Sequence, residues 1–345
     1  MPVPTKTDEN PISSPARTVI GWQGLQFDLP PDWNLVGFSM DRDNGSLRVD
    51  APGDKALSVM VTWTNVARQN PKTAYYLLAP LLRRLLRRPE PDINKPDLRA
   101  SLEKYLKEAA KQAKRVRTNF ESNIKSEKTE GENDERVAIN FTWTGEGRGQ
   151  GKIWYCQTCH RVVVAQVMGR GKDNQAIQNV ASQLFATLRD HAEDGFDRWA
   201  LYDLHIDIPE DFRLESQQLK SGYLNLVFRR HGERILVERW GLANLTLKRF
   251  TIPEWFRNNA AVRVKEADCE AREQNTHDMT YLARPLPWMR RLRSWRDGML
   301  RRPASLYEGG CWSCAESNRI YLVQAFLNRR SEEVWKGIVS RCDCH

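Results

Sequence analysis

The chain contains no apolar run approaching the roughly 20 residues that a bilayer span requires, which predicts no transmembrane segment. Its first residues, Met1 to Arg17, are polar and rich in Pro, Ser and Thr, without the basic-then-apolar plan of a secretory signal. We read residues 1–17 as a disordered leader on a cytoplasmic protein. Seven cysteines, an odd number without an export signal, disfavour a disulfide framework. Histidine is scarce, six residues in all: His160, His191, His205, His231, His277 and His345. None has an obvious carboxylate or nucleophile partner in sequence. A P-loop, a G-x-G-x-x-G behind a strand, an H-E-x-x-H and a G-x-S-x-G are all missing. The residues therefore lean away from an enzyme, although a triad need not be local in sequence.

What the chain does have is positive charge, a formal net +9 that is unevenly placed. Leu81 to Thr118 holds twelve Lys or Arg against five acids, and Leu286 to Arg302 holds six Arg against one Asp. Those two surpluses exceed the net charge, so the remainder of the chain is slightly acidic. The positive charge belongs to insertions and not to the scaffold.

The scaffold is written twice. Trp154, Cys156, Arg161 and Gln166 recur with identical spacing as Trp312, Cys314, Arg319 and Gln324. Leu25, Phe27 and Leu29 alternate before Pro30-Pro31-Asp32-Trp33, as Leu204, Ile206 and Ile208 do before Pro209-Glu210-Asp211-Phe212. Gly45 and Trp63 are eighteen residues apart, as are Gly222 and Trp240. A length of 345 residues suits about two domains. We expect a first repeat at 18–193 with a basic helical insertion at 71–118, and a second at 194–345 with its insertion at 285–303.

Short alternating runs at Leu47–Asp50, Ala56–Trp63, Tyr223–Phe228 and Arg234–Trp240, bounded by turn residues, predict antiparallel hairpins. Helices are expected at Leu98–Arg117, Pro253–Asn259, Asn174–Arg189 and Glu332–Arg341, with further strands near Ser122–Glu127, Val137–Trp143, Val262–Asp268 and Met279–Ala283. The order predicts two homologous α+β domains, each an antiparallel sheet packed with helices. An alternating strand running into Leu29-Pro30-x-x-Trp33, then hairpins, a helix and a terminal helix, resembles the PsbP-like fold. That fold is shared by an extrinsic photosystem subunit and a nuclear-transport factor acting on a small GTPase. The resemblance implies a non-enzymatic binding or assembly module, and no functional residue is carried over from it.

Cys156-Gln-Thr-Cys159-His160 has the form of a c-type haem attachment sequence. The repeat argues against that use, because Cys159 and His160 align with Ser317 and Asn318 in a predicted hairpin turn. Zinc is the stronger cofactor candidate. Cys156 with Cys159 and Cys311 with Cys314 form two C-x-x-C pairs, which could supply four thiolates to one tetrahedral site. Cys342-Asp-Cys344-His345 adds a third thiol-rich cluster. The competing reading makes Cys156 and Cys314 buried strand residues. Trp33, Trp63, Trp154, Trp240 and Trp312 fit the core. Arg161 and Arg319 fit either a carboxylate partner or an anion site.

The insertions carry the partner-binding candidates. In Leu81–Arg88 the leucines fill one helical arc, and Arg83, Arg84, Arg87 and Arg88 fill the other. Lys104, Lys107, Lys111 and Lys114 follow at partial i, i+3, i+4 spacing. Trp288, Leu292, Trp295 and Met299 share one face, with Arg290, Arg291, Arg301 and Arg302 mainly opposite. Such helices either solvate their charges or meet an anionic or amphipathic partner: a nucleic-acid backbone, an acidic protein or protein complex, or an anionic membrane surface touched peripherally. No spacing here supports base readout. The sequence is best read as a binding or assembly protein, with zinc binding through two C-x-x-C pairs as the alternative.

Overall fold

Period-two alternation governs most of the chain, and strands dominate accordingly. The computed structural model describes residues 17–40, 44–53, 57–66, 96–130, 136–170, 174–192, 194–286 and 304–344. Of the described residues, 54% are in strands and 22% in helices. Among them no helix is long and apolar enough to cross a membrane. Residues 1–16 of the expected leader, the leucine–arginine run at 81–88 and the tryptophan–arginine run at 288–302 lie outside the described residues.

Two units divide the structure, one built on Asp28–Leu188 and the other on Ile20–Phe27 with Arg189–His345. The opening hairpin, β1 (Thr18–Trp22) and β2 (Leu25–Leu29), is counted largely with the second unit. The first unit continues with β3 (Asn34–Met40), β4 (Asn44–Asp50) and β5 (Leu57–Asn65). Helix α1 (Leu98–Arg115) follows, then β6 (Glu121–Glu130), β7 (Arg136–Thr144), β8 (Arg148–Cys156) and β9 (Arg161–Gly169), and last α2 (Asn174–Thr187). Its antiparallel sheet runs β3-β4-β5-β9-β8-β7-β6.

The second unit contains β10 (Phe196–Leu201), β11 (Leu204–Pro209), β12 (Arg213–Lys220), β13 (Tyr223–Arg230) and β14 (Glu233–Gly241). Helices α3 (Ala243–Thr246) and α4 (Ile252–Asn259) precede β15 (Glu270–Gln274), β16 (His277–Pro285), β17 (Leu306–Cys314) and β18 (Arg319–Leu327). Helix α5 (Glu332–Val339) and the short β19 (Cys342–Asp343) close it. Its seven-stranded sheet runs β12-β13-β14-β18-β17-β16-β15, the order of the first unit strand for strand. Trp154 and Trp312 occupy the same place in β8 and β17, facing Val163 and Tyr321 across the hairpin. In both hairpins the last turn residue, His160 or Asn318, is left-handed. The edge strands β3 and β12 each carry a bulge at the same point, after Leu35 and after Leu214.

The α+β expectation is corrected by this architecture, which is a β-rich class with three large antiparallel sheets and few helices. The helices fall where their apolar spacing places them, but they are few and cover faces already built by strands. The alternating segments before each Pro-aromatic turn do not extend the seven-stranded sheets. They form a third sheet in the order β19-β11-β10-β1-β2. Alternation specifies a strand and its buried face; it does not specify which edge that strand will join. The strand expected at Val262–Asp268 is absent as well. Val262 and Val264 are buried against α4 as irregular chain, and β15 begins only at Glu270.

In the first unit Leu98, Leu102 and Leu106 of α1 are buried with Ile139, Phe141, Ile153 and Tyr155 of β7 and β8. In the second, Trp255 and Phe256 of α4 meet Leu282, Tyr307, Cys311 and Leu322 on the matching face. Each such side chain contributes about 1.5–3 kcal/mol of burial energy. Trp33, Trp63, Trp154 and Trp312 are buried as expected, whereas Trp240 is only half-buried, packed edge-on to Trp255. The Gly–Trp landmarks are not equivalent either. Gly45 pairs across the ladder with Trp63, whose indole lies over it, while Trp240 pairs with Tyr223 and Gly222 is a left-handed turn residue. A Cβ at position 45 would overlap the Trp63 ring. Gly45→Ala is expected to destabilise the protein by about 1–3 kcal/mol, as overpacking does. Urea unfolding checks this, with Gly37→Ala as the comparison, since a Cβ there would meet only the Arg48 Cβ at an ordinary 3.9 Å.

Candidate functional site

Helix α1 carries the cations of the first insertion that the structure describes. Asp97 caps it, accepting from the Ala100 N–H at 2.8 Å. Lys114 and Arg115 stand in its last turn, where the helix dipole favours positive charge. At 100° per residue, Lys104, Lys107, Lys111, Lys114 and Arg115 fall within an arc of roughly 100°. All five are exposed, and Leu98, Leu102 and Leu106 fill the opposite arc. Only part of this charge is spent locally: Lys111 pairs with Glu108 at 2.6 Å, and Arg99 with Glu103 at 3.2 Å. Arg83, Arg84, Arg87, Arg88, Arg290, Arg291, Arg301 and Arg302 lie outside the described residues.

The helix is held down through a glutamine. Gln166, buried on the central strand β9, accepts from Trp143 Nε1 at 3.1 Å and donates to the Tyr105 hydroxyl of α1 at 2.6 Å. Burial raises the Tyr105 pKa, and the Gln166 bond partly offsets this. A groove of about 710 Å³ opens beneath the C-terminal half of α1. Ala109, Gln112 and Val116 form its roof, and the floor includes Phe120 and Trp143, stacked at 5.9 Å. Asp50, Glu146, Arg48 and Arg170 stand in its walls. The small side chains of Ala109 and Ala113 on α1 leave this space unfilled.

The four cysteines expected to bind zinc are distributed differently. Cys156 ends β8 and Cys159 sits in the following turn, both in the first unit, their thiols within 4.8 Å. Cys311 and Cys314 both lie in β17 of the second unit. Residues three apart in a strand point to opposite faces, so this C-x-x-C cannot close on one ion. Cys311 belongs to the core with Leu282, Ile320 and Phe256, and burial pushes its thiol well up. Cys314 instead meets His277 at the start of β16 and Cys344 beyond β19, their ligand atoms all within 4.8 Å. His277 Nε2 is 2.9 Å from Cys344 Sγ, and Cys344 also hydrogen-bonds Cys314. Burial, then Cys314, pushes the Cys344 thiol up to about 12. His277 and Cys314 line a groove of about 1060 Å³ in the second unit. His277 showed no partner in sequence; only the "C-D-C" run near Cys344 signalled this cluster.

Arg319 has a carboxylate partner. Asp203, in the β10–β11 turn, pairs with the buried Arg239 and, at 2.8 Å, with Arg319. The Asp203 carbonyl accepts from the Tyr321 hydroxyl at 2.8 Å. Arg319 is therefore a structural cation of the second unit, and Arg161 occupies the matching position in β9, opposite Asn65.

No family model and no curated protein matches this sequence. Among solved structures, a protein from Bacteroides thetaiotaomicron is similar at a TM-score of 0.25 and 8% identity, over 41% of this chain. This chain covers less than half of that one, 45%. The apo immunity protein TplEi of the T6SS from Pseudomonas aeruginosa is similar at a TM-score of 0.24 and 10% identity, over 95% of this chain and 97% of that one. Neither likeness identifies a PsbP-like fold, and neither is close enough to carry an argument.

Removing one partner of a buried ion pair costs more than the pair contributes, because a charge is left without compensation. Asp203→Ala is expected to destabilise the protein by about 3 kcal/mol, the low end for such pairs because Asp203 keeps some contact with solvent. Chemical denaturation measures this, and Asp203→Asn should lose less.

Proposed function

We propose that this chain is a non-enzymatic binding protein that holds an acidic protein partner against α1. The observation that carries the reading is the helix itself: five exposed cations in one arc, its opposite arc buried, and a groove floored by aromatics beneath its far end. The cations would draw carboxylates in and orient them, which governs rate and specificity more than final affinity. The groove would supply affinity by taking one apolar or aromatic side chain, for which its volume is ample. An acidic protein fits this pairing better than a phosphate chain does. In the groove walls Arg48 and Arg170 balance Asp50 and Glu146, with Arg48 paired to Asp50 at 3.0 Å, so the groove suits a neutral side chain and does not continue the cationic face along a phosphate backbone. The arginines at 83, 84, 87 and 88 precede α1 in the chain and add to the same net charge.

The test compares acidic peptides with and without a single Trp, alongside homopolymeric RNA, duplex DNA and phosphatidylserine vesicles, across a salt series. The Trp-containing acidic peptide should bind best, and more weakly as salt rises. The variant with Lys104, Lys107, Lys111 and Lys114 changed to Glu should lose at least about 10-fold in affinity, the sum of four modest surface charges. Ala109→Trp, which fills the groove, should abolish the preference for the Trp peptide and spare the salt dependence. Tightest binding to RNA, DNA or vesicles, insensitive to Ala109→Trp, would overturn the reading.

A further inference from the structure

We propose that His277, Cys314 and Cys344 form a zinc site within the second unit, tying the end of the chain to the seven-stranded sheet. The three donors come from three separate segments: His277 opens β16, Cys314 ends β17, and Cys344 follows β19. Strand β19 belongs to the five-stranded sheet through its pairing with β11, so one ion would join the two sheets of this unit. One imidazole and two thiols are a donor set that suits zinc, whose geometry has no electronic preference and accepts N and S together. Tetrahedral zinc with such ligands holds its donor atoms about 3.5–3.8 Å apart, from bonds of about 2.0–2.3 Å. The three donor atoms already lie within 4.8 Å of one another, with His277 Nε2 and Cys344 Sγ at 2.9 Å.

The surroundings hold each donor for this role. Cys314 and Cys344 are buried, His277 is half-buried, and His277 and Cys314 form part of the groove wall. The Ser317 N–H points at Cys314 Sγ at 3.5 Å, a donor that stabilises negative sulfur. Cys344 is positioned through its neighbours on the backbone, and its carbonyl lies 3.4 Å from the Tyr321 hydroxyl, whose proton goes to the nearer Asp203 carbonyl. Asn275 donates to the Cys342 carbonyl and to Asp343 Oδ1, each at 2.9 Å, and Gln274 donates to the Val339 carbonyl. These bonds dock residues 339–344 onto the β15–β16 turn, next to His277. Binding would release both thiol protons, and two thiolates neutralise the dication, so the completed centre adds no net charge to a buried place. The fourth position would face the groove, where Asp278 and Glu316 also stand.

The test is metal content of the full chain purified under reducing conditions without chelator, together with cobalt titration of the metal-stripped protein. About one zinc per chain is expected, with a thiolate-to-cobalt charge-transfer band on titration. Cys314→Ser, Cys344→Ser and His277→Ala should each cut zinc content at least tenfold, and Cys269→Ser, outside the cluster, should retain it. Circular dichroism of each variant separates loss of the ion from loss of the fold, and the cobalt band of the wild-type chain does not depend on any variant folding. Three outcomes would each overturn the proposal: zinc near zero with no cobalt band, zinc retained by all three variants, or a Cys314–Cys344 disulfide in the protein as purified.

Discussion

A buried amide at the centre of each seven-stranded sheet sets the terms for what lies on top of it. Gln166 and Gln324 occupy matching places on β9 and β18, the fourth strand of seven in each order. Both are almost fully buried, and an amide left unsatisfied there costs about 1–3 kcal/mol per group. Each is satisfied from the segment covering the sheet. In the first unit the partner is Tyr105 of α1, with Trp143 on the other side. In the second, Gln324 Oε1 accepts from the Ala261 N–H at 2.7 Å, just past α4, and from the Tyr307 hydroxyl at 2.9 Å. The strand opposite carries a glycine in each case, Gly151 and Gly309, so no side chain competes for the space.

The two candidate sites follow from the same frame used differently. Where the covering segment is the long α1, its outer arc is free to carry cations, and its far end overhangs the Phe120–Trp143 floor. Where it is the short α4, the sheet's end near β16 and β17 stays accessible to the residues that follow α5. Cys314 can meet His277 and Cys344 there. The two shared cysteines thus sit in equivalent strands, β8 and β17, in different surroundings.

Much of this was legible without coordinates. The duplicated spacing of Trp, Cys, Arg and Gln marks two strands joined by a tight turn, and β8–β9 and β17–β18 are those hairpins. The leucine spacing from Leu98 to Leu106 marks a helix with one buried face. The α+β expectation differs from the structure because helical stretches are conspicuous in sequence, while nothing in the residues of β1 and β2 signals that this hairpin pairs with β10 and not within its own repeat. The second C-x-x-C pair is separated for a local reason: Cys311 and Cys314 look paired in sequence, but the strand that holds both turns them to opposite faces.

Sequence alone determined the periodicities, and with them the strands, the helices and the duplication, because alternation and capping act over a few neighbouring residues. It also determined where the charge is stored. Only the tertiary structure decided which strands share a sheet, which cysteine faces the core, and that His277 and Cys344, 67 residues apart, come within hydrogen-bonding distance. Those outcomes depend on long-range burial and strand pairing, for which no short stretch of residues carries a signal.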